Sequence, residues 1–360
     1  MRTKCELLRE QFLTELMKNR WPAGARLPGL PELARQFDAT PGTMERVLRL
    51  LITQGVLDRK PKQGTFVRKR SSNELFTQAP IVVVGWGPEA FDDVYTSTVL
   101  KVIHHGLPDH NWVFLHSFQS AEIAFALHAL HANTLIALAP SIEDVRQIEP
   151  FLASDMQILC VGSRAESSGI HTITTDNAFG VAEGMRYLAR LGHQRVAFIS
   201  RNIERTDHIE RYRTFRRSRS RYGFSTDPRL LQWKQSVSNN TPDYVADALD
   251  RWYGMEAPPT AIFAGGGPLV FSLLEALQAR NIRIPQDVSL ITYDDYPMAA
   301  YYNPPMTVIR QPLEEMGKVA IKALHKLAAP VHRVIHAVIK PALVIRGSCA
   351  PPGAGGTDDR

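Results

Sequence analysis

Cysteine is scarce in this sequence of 360 residues, and its scarcity excludes two classes of protein. Only Cys5, Cys160 and Cys349 occur, an odd number at wide spacing. They cannot form the disulfide framework of a small secreted protein, and they lack the paired spacing of a cysteine zinc site. The histidines show no metal-binding spacing either. We therefore expect a protein of the reducing cytoplasm that needs no metal or other cofactor.

Long apolar runs are also absent. No segment approaches the roughly 18–20 apolar residues of a membrane helix. Charged residues interrupt positions 1–20, which therefore do not resemble a signal peptide. Hydrophobic residues still make up 44% of the chain, enough to fill ordinary cores, so we exclude wholesale disorder. The length exceeds one ordinary core and predicts two or three packed units.

Basic side chains are concentrated in the first 70 residues, which hold 15 lysines and arginines against 7 aspartates and glutamates. The rest of the chain holds 27 against 29 and is close to neutral. A basic module on a neutral body is the electrostatic signature of a protein that binds a polyanion. An ordinary solvated basic face has the same composition, so charge alone does not decide between them.

Residues 4–67 show the pattern of a small DNA-binding head. Apolar spacing predicts helices over 4–19, 30–37 and 42–54, followed by two short strands over 56–60 and 64–67. Thr40 suits a helix N-cap and Pro41 suits the first helical position. Two helices joined by a tight turn and followed by a hairpin are the outline of a winged helix-turn-helix.

Residues 24–67 contain a series of motif positions in one ungapped frame, namely Leu27-Pro28, Leu33-Ala34, Thr43, Leu50, Gly55 and Gly64-Thr65-Phe66-Val67. Through these positions the segment resembles the DNA-binding domain of the GntR family. The resemblance implies that the third helix enters the major groove and that the wing lies along the backbone or in the minor groove. The residues expected at the DNA surface are Arg35, Thr40, Gly42, Thr43, Glu45, Arg46, Arg49, Lys60, Lys62, Gln63 and Gly64.

Three positions depart from the GntR pattern. The family usually carries arginine where Pro31 and Pro41 stand, and often at Glu45. The family's base-reading code therefore does not transfer to this chain. Glu45 could accept a hydrogen bond from a cytosine amino group or reject other bases. A degenerate, weakly binding head is the alternative.

Beyond residue 80 the pattern changes to alternating strands and helices. This βαβ rhythm predicts parallel sheets covered by helices on both faces. Its length is best divided into two lobes, with a ligand bound between them at the carboxyl ends of the strands.

Residues 80–349 contain a series of motif segments, namely 175–177, 188–199, 259–264, 284–295, 304–307, 315–317 and 341–348. In this order they resemble the sensor domain of the lactose-repressor (LacI/GalR) family, which is related to periplasmic sugar-binding proteins. The LacI-type helix-turn-helix and hinge helix are replaced by the GntR-type head. This combination is similar to the arabinose-repressor type of the GntR family, and it implies that a signal passes through dimer geometry and the linker.

The predicted architecture is a winged helix-turn-helix (α+β) followed by an α/β two-lobed periplasmic-binding-protein-like domain with parallel sheets. The head covers 1–70, a linker covers 71–79 and the sensor domain covers 80–348. Lobe 1 is expected over about 80–192 and 306–328, and lobe 2 over about 193–305 and 329–348. A disordered tail is expected over 349–360.

The resemblance to LacI relatives places ligand-contacting groups at Arg211 and Asp294. Asp294 could instead cap the next turn as a strand-end residue. Trp86 and Phe91 could stack on a sugar ring or belong to a lobe core, and Asp176 could touch ligand or cap a turn.

Within the run Gly265-Gly266-Gly267, relatives usually have Asn-Asp at the positions of Gly266 and Gly267, and Gly266 is included among the effector-binding residues. The loss of those side chains predicts open space for a different or larger ligand. The triple glycine lacks the lysine and hydroxyl of a phosphate-binding loop. The eight arginines of 201–221 form either a solvated helix face or a second anion-binding patch.

Together these patterns predict a DNA-binding transcription regulator, a repressor, that works as a homodimer on a double-stranded DNA operator. Its operator affinity is controlled by a small carbohydrate or derivative. The alternative is a cytosolic carbohydrate-binding protein with a degenerate head. No nucleophile elbow, metal cluster or acid/base pair occurs in the sequence, so we do not expect an enzyme.

Overall fold

The computed structural model describes residues 4–17, 20–22, 24–53, 56–61, 63–68, 80–85, 94–108, 110–154, 156–165, 169–200, 204–233, 241–327 and 334–353. The predicted linker at 71–79 lies outside these ranges, as do Lys62, Trp86 and Phe91. By contacts, the described chain divides into two units. Unit 1 comprises the chain up to Ile173 together with Met316–Ala337, and unit 2 comprises Thr174–Glu315 together with the chain from Val338.

The N-terminal head contains three helices and a hairpin. They are α1 (Lys4–Met17), α2 (Leu30–Gln36), α3 (Pro41–Thr53), β1 (Leu57–Lys60) and β2 (Gly64–Val67). Its core forms where the apolar face of α3 meets α1 and α2, and Phe12, Leu33 and Met44 are fully buried there. The strands pair antiparallel, with Leu57 opposite Val67 and Lys60 opposite Gly64. The predicted winged helix-turn-helix is confirmed.

The head and the first sheet belong to the same unit. Helix α1 packs on residues 120–129 and 149–154, and the Arg9 guanidinium lies 5.4 Å from the centroid of the Phe125 ring. The apolar residues of the head and of one face of the first sheet form one continuous cluster. From the sequence we predicted the head as a separate domain on a linker. Apolar periodicity locates helices and strands, but it gives no information about contacts between elements that are far apart in the chain.

The remaining elements alternate as predicted. Those up to residue 176 are β3 (Ile81–Val84), α4 (Val94–Gly106), β4 (Trp112–Leu115), α5 (Ser120–Ala129), β5 (Thr134–Leu138), α6 (Ile142–Ile148), β6 (Gln157–Val161) and β7 (His171–Thr175). They are followed by α7 (Asn177–Arg190), β8 (Val196–Ile199), α8 (Thr206–Arg221), β9 (Leu231–Gln232), α9 (Thr241–Tyr253), β10 (Ala261–Ala264), α10 (Leu269–Ala279), β11 (Ser289–Tyr293), β12 (Thr307–Arg310), α11 (Leu313–Leu327), β13 (His336–Ile339) and β14 (Ala342–Val344).

Two six-stranded sheets result, with strand orders β13-β7-β6-β5-β3-β4 and β14-β12-β11-β10-β8-β9. The pairs from β3 to β7 and from β8 to β12 are parallel, and β14 joins β12 antiparallel. The central strands are buried along their whole length, as expected for parallel strands covered on both faces.

The structure corrects the predicted lobe boundaries. Helix α7 belongs to unit 2, because Gly180 and Gly184 bring it against Tyr293 and Phe263 of the second sheet. Strand β12 also belongs to unit 2, since it pairs with β11. The chain therefore passes between units after residues 173, 315 and 337, and not near 192, 305 and 328 as predicted.

The predicted disordered tail begins too early. Ser289 Oγ donates to the Ala350 carbonyl at 2.9 Å and accepts from the Ala350 amide at 3.0 Å. The buried His193 ring lies 3.0 Å from the same carbonyl. These contacts hold Ala350 on the second sheet, and of the predicted tail only 354–360 lie outside the described residues.

Candidate functional site

Helix α3 separates an apolar face from a polar one. Thr40 accepts from the Thr43 amide at 3.2 Å and so caps the helix, and Pro41 occupies the first helical position, as the sequence predicts. The core-facing residues are buried, whereas Arg46 and Arg49 are exposed. The predicted DNA surface is thus available to a ligand, with its two cations on the outer face of the helix.

The remaining predicted DNA-binding residues divide between the two edges of this surface. Exposed side chains belong to Arg35 and Thr40 before α3 and to Lys60 and Gln63 in the wing; Gly42 is exposed, and Thr43, Glu45 and Gly64 are partly so. The Lys60 ammonium lies 5.1 Å from the Phe66 ring centroid. Glu45 is not free, because Arg59 Nη1 donates to its Oε1 at 2.8 Å.

A second cluster of polar groups lies at the carboxyl edge of the second sheet. The segments that follow four strands of this sheet, together with the end of β7 and the start of α7, each contribute a polar group or a glycine. These groups are Thr175, Asn177, Ser200, Gly265, Gly266, Gly267, Asp294 and Gln311. In parallel sheets this edge is the usual place for ligand binding, because all the strand ends and their loops meet there.

Arg211 reaches this edge from α8. Phe215, one turn later, packs on Phe198 at a ring-centroid distance of 4.8 Å and anchors the helix to the sheet. The Arg211 guanidinium stacks 3.7 Å from the centroid of the Tyr293 ring. It donates to Asn177 Oδ1 and to the Gly265 carbonyl, both at 2.8 Å, and to Asp207 at 3.4 Å. The side chain is therefore a buried link between three segments.

Asp207 supplies the negative charge beside Arg211. Burial by itself would raise the pKa of this carboxyl, but Arg205, His208 and Arg211 outweigh burial and lower the pKa to about 2. Arg205 binds it in a fork, with contacts of 3.1 and 3.0 Å. Burial lowers the pKa of His208 to about 4 in spite of Asp207, so this imidazole is neutral at pH 7.

Asp294 follows β11 with a positive φ of 77°. Its Oδ2 accepts from the Gly267 amide at 3.1 Å and lies 4.0 Å from Arg211 Nη1. Its Oδ1 accepts from Gln311 Nε2 at 2.5 Å. Both hydrogen-bond donors lie on neighbouring segments and not in the turn that follows Asp294, so these contacts do not support the turn-capping alternative, and the carboxylate stands beside the predicted arginine.

The three glycines do not simply open space. A Cβ on Gly266 would lie 2.6 Å from Arg211 Nη1 and 2.7 Å from Asp294 Oδ2, so the two charged side chains fill this position. A Cβ on Gly267 meets nothing within 4 Å. The expected space exists at Gly267 and is absent at Gly266.

Sequence reasoning missed several members of this cluster, among them Asp207 and Gln311. Two signals were available. Asp207 lies one helical turn before Arg211, and Gln311 directly follows a parallel strand. Asp176, in contrast, caps α7 by accepting from the Phe179 amide at 2.9 Å, which is the alternative that its position left open.

The arginine-rich run is neither wholly a solvated face nor a single patch. Within the described part of the run, Arg211 and Arg219 are buried, whereas Arg213, Arg216 and Arg217 are exposed. Arg219 donates to the Asp227 carbonyl at 3.0 Å. Among the described residues no group of three or more His, Cys, Asp or Glu side chains could hold a metal, and no helix is long and apolar enough to span a membrane.

Comparisons with known families match two segments of the chain. Residues 6–67 match the sequence profile of the bacterial regulatory proteins of the gntR family, and residues 185–349 match that of the periplasmic binding protein-like domain. Among curated proteins, the HTH-type transcriptional repressor PurR of Vibrio atlanticus is 30% identical over 159 residues, which are 44% of this chain and 46% of the relative. The ribose operon repressor of Escherichia coli is 29% identical over 164 residues, 45% of this chain and 48% of the relative.

The chain thus spans about half the length of the curated relatives it matches. Among solved structures, the transcriptional regulator CelR in complex with cellobiose has a TM-score of 0.67 at 19% identity and covers 89% of this chain and 100% of its own. A LacI family regulator from Enterococcus faecium with bound ribose has a TM-score of 0.65 at 22% identity, covering 76% and 99%. The chain therefore joins a winged-helix segment of the gntR regulatory family to a periplasmic binding protein-like domain with the fold of LacI-family regulators.

Proposed function

We propose that this protein is a transcription regulator, acting as a repressor, whose head binds a double-stranded DNA operator under the control of a small effector. The observation that carries the proposal is the coexistence of two surfaces in one chain. Helix α3 exposes Arg46 and Arg49, and the second sheet presents a polar cluster around Arg211. The names of the PurR and ribose repressors support the same role.

The effector that fits this cluster is a neutral carbohydrate or a neutral derivative. Its charges balance, since Arg205 and Arg211 face Asp207 and Asp294 and the buried His208 is neutral at pH 7. The carboxylates and the Gln311 amide are planar groups that suit hydroxyl pairs. Solved relatives bound to cellobiose and ribose support this class of ligand.

We further propose a homodimer, because two heads on a two-fold axis match a near-palindromic operator. An exposed apolar group in unit 2 supports self-association. Tyr301 is 88% exposed and Met298 is 68% exposed. Tyr296, which is close to both in the sequence, packs edge-to-face on Phe271 of α10. Soluble monomers rarely leave such large apolar side chains grouped in water.

The test measures DNA binding by fluorescence anisotropy with the full chain. The duplexes are the region upstream of its own gene and a scrambled control, at moderate salt and with or without neutral sugars. We expect a preference for the upstream duplex that one sugar changes, and loss of affinity when Arg46 and Arg49 are both replaced by alanine. If the protein shows no preference for the upstream duplex, the regulator proposal is refuted. If it then still responds to a sugar, the result favours the carbohydrate-binding alternative.

A further inference from the structure

The Glu45–Arg59 ion pair connects the third helix of the head to the first strand of the wing. Glu45 lies in the first half of α3, the part of a recognition helix that meets base edges. Arg59 lies in β1, and its Nη1 is 2.8 Å from Glu45 Oε1. The Arg59 side chain is 61% exposed and that of Glu45 is 25% exposed. The guanidinium is therefore the outer member of the pair.

The strand alternation explains why Arg59 makes this contact. Successive side chains of a strand point to opposite faces. Leu57 is buried against the head core, and Arg59, two residues later, lies on the same side. Asp58 lies on the other side and pairs with Arg68 at 3.0 Å. The hairpin thus brings one arginine to α3 and directs its neighbour elsewhere.

The charge of Glu45 would oppose DNA binding if it stood alone. The surface around it carries Arg46, Arg49 and Lys60, all exposed, and would face phosphates. A carboxylate there repels the same phosphates. The contact with Arg59 neutralises it and also restricts the arginine to one orientation before DNA arrives, which reduces the entropy lost on binding.

We propose that Arg59 is a base-reading residue of this head and that Glu45 is its positioning residue. This inference rests on the proposed DNA-binding function. The contact with Glu45 uses one of the five N–H donors of the guanidinium fork. The outer edge of the fork then matches O6 and N7 of guanine, the pair of acceptors that arginine reads in the major groove. The GntR family often carries an arginine at the position of Glu45, and in this chain Arg59 of the wing supplies the guanidinium instead.

A rival arrangement has Glu45 itself reading cytosine. In that case Arg59 competes with the base for the same carboxylate and has to leave it. The greater exposure of Arg59 and the sign of the phosphate field both favour arginine as the group that faces DNA. The two arrangements predict opposite effects of a charge-conserving substitution at Arg59.

The experiment is in vitro selection of duplexes from a random pool by the full-length protein and by three variants, R59K, E45Q and R68K. R59K keeps the charge but removes the planar fork, and R68K makes the same change at an arginine paired on the hairpin away from α3. We expect the unaltered protein to select a motif with guanine at one fixed position in each half-site. In R59K the preference for that guanine falls by about 5- to 150-fold, the rest of the motif is retained, and the salt dependence is unchanged.

E45Q is expected to lose the same guanine preference while its affinity for random duplex rises or stays equal. R68K is expected to select the unaltered motif. Thermal melting should be nearly the same in all three variants, because exposed ion pairs contribute little to stability.

Each other outcome decides against the inference. An R59K variant that retains the full motif refutes it, and an E45Q variant that alone loses a cytosine preference identifies Glu45 as the reader. An unaltered protein that selects no motif refutes the regulator and this inference together. A motif that survives R59K refutes only the inference.

Discussion

Replacement of Asp207 by asparagine tests whether the buried charge cluster of unit 2 stabilises the fold around α8. The side chain is 5% exposed, and its pKa is lowered from 3.8 to about 2. Each pKa unit corresponds to about 1.4 kcal/mol, so ionisation of this group stabilises the folded state by about 2–3 kcal/mol. Asparagine resembles the protonated carboxyl, and D207N should therefore lose about this amount at pH 7. D207A also removes the hydrogen bonds to two arginines and should lose about 3–5 kcal/mol.

The matched control is D227N. The pKa of Asp227 is also lowered to about 2, first by hydrogen bonds from Arg229, but that arginine is 63% exposed. Solvent screens such a pair, so D227N should cost less than about 1 kcal/mol. Hydrogen exchange of backbone amides in α8 and β8, read by mass spectrometry, measures the local free energy of unfolding for each variant. Equal costs for D207N and D227N would refute the reasoning.

The pH dependence of the D207N effect follows from the direction of the pKa shift. A carboxyl whose folded-state pKa is lowered contributes stability above its unfolded pKa and loses it as the pH falls toward the folded value. The difference between the unaltered protein and D207N should therefore be constant from pH 5 to pH 8. It should shrink between about pH 4 and pH 2. A difference that instead changed near neutrality would implicate another group.

Three further predictions concern the head, the dimer and the effector. T40A removes the helix cap of α3 and should cost about 1 kcal/mol of head stability, measured by thermal melting; no loss would contradict the capping role. Joint replacement of Met298 and Tyr301 by aspartate should convert the dimer to a monomer in analytical ultracentrifugation, and an unchanged mass would place the dimer contact elsewhere. In a thermal-shift screen neutral sugars should stabilise the protein, whereas their phosphate esters should not; the reverse order would contradict the charge balance of the cluster.

The elements that sequence reasoning located best are those whose environment is uniform. The residues 81–84 and 196–199 form apolar runs because both of their faces are buried, and this pattern is visible without any contact information. The winged helix was equally clear, since Thr40-Pro41 combines a cap with a preferred first helical residue. Strand β7 is the opposite case. Its residues His171–Thr175 are all buried but mostly polar, so no apolar pattern indicates it.

The predicted lobe boundaries were wrong for a related reason. Strand β7 pairs within the first sheet, whereas the helix α7 that follows it belongs to unit 2. The assignment of α7 depends on two glycines that admit Tyr293 and Phe263, residues more than 70 positions away in the chain. The candidate site shows the same limit. Arg211 and Asp294 were found through family resemblance, whereas Gln311 was missed although it directly follows a strand, because the sequence does not show which strand ends meet.

The last test concerns the triple glycine, where we expected open space and where that space exists at Gly267 but not at Gly266. Gly266 and Gly267 both have positive φ, 109° and 78°, so alanine pays a similar backbone cost at either position. Only at Gly266 does a Cβ also overlap the charged pair beside it. G266A should therefore lower the melting temperature of unit 2 more than G267A and should abolish the sugar response. G267A should retain that response, and G267N should weaken it in proportion to the size of the sugar, because its side chain enters the open space. Equal loss in G266A and G267A would show that backbone strain, and not the seat of the Arg211–Asp294 pair, is what requires glycine here.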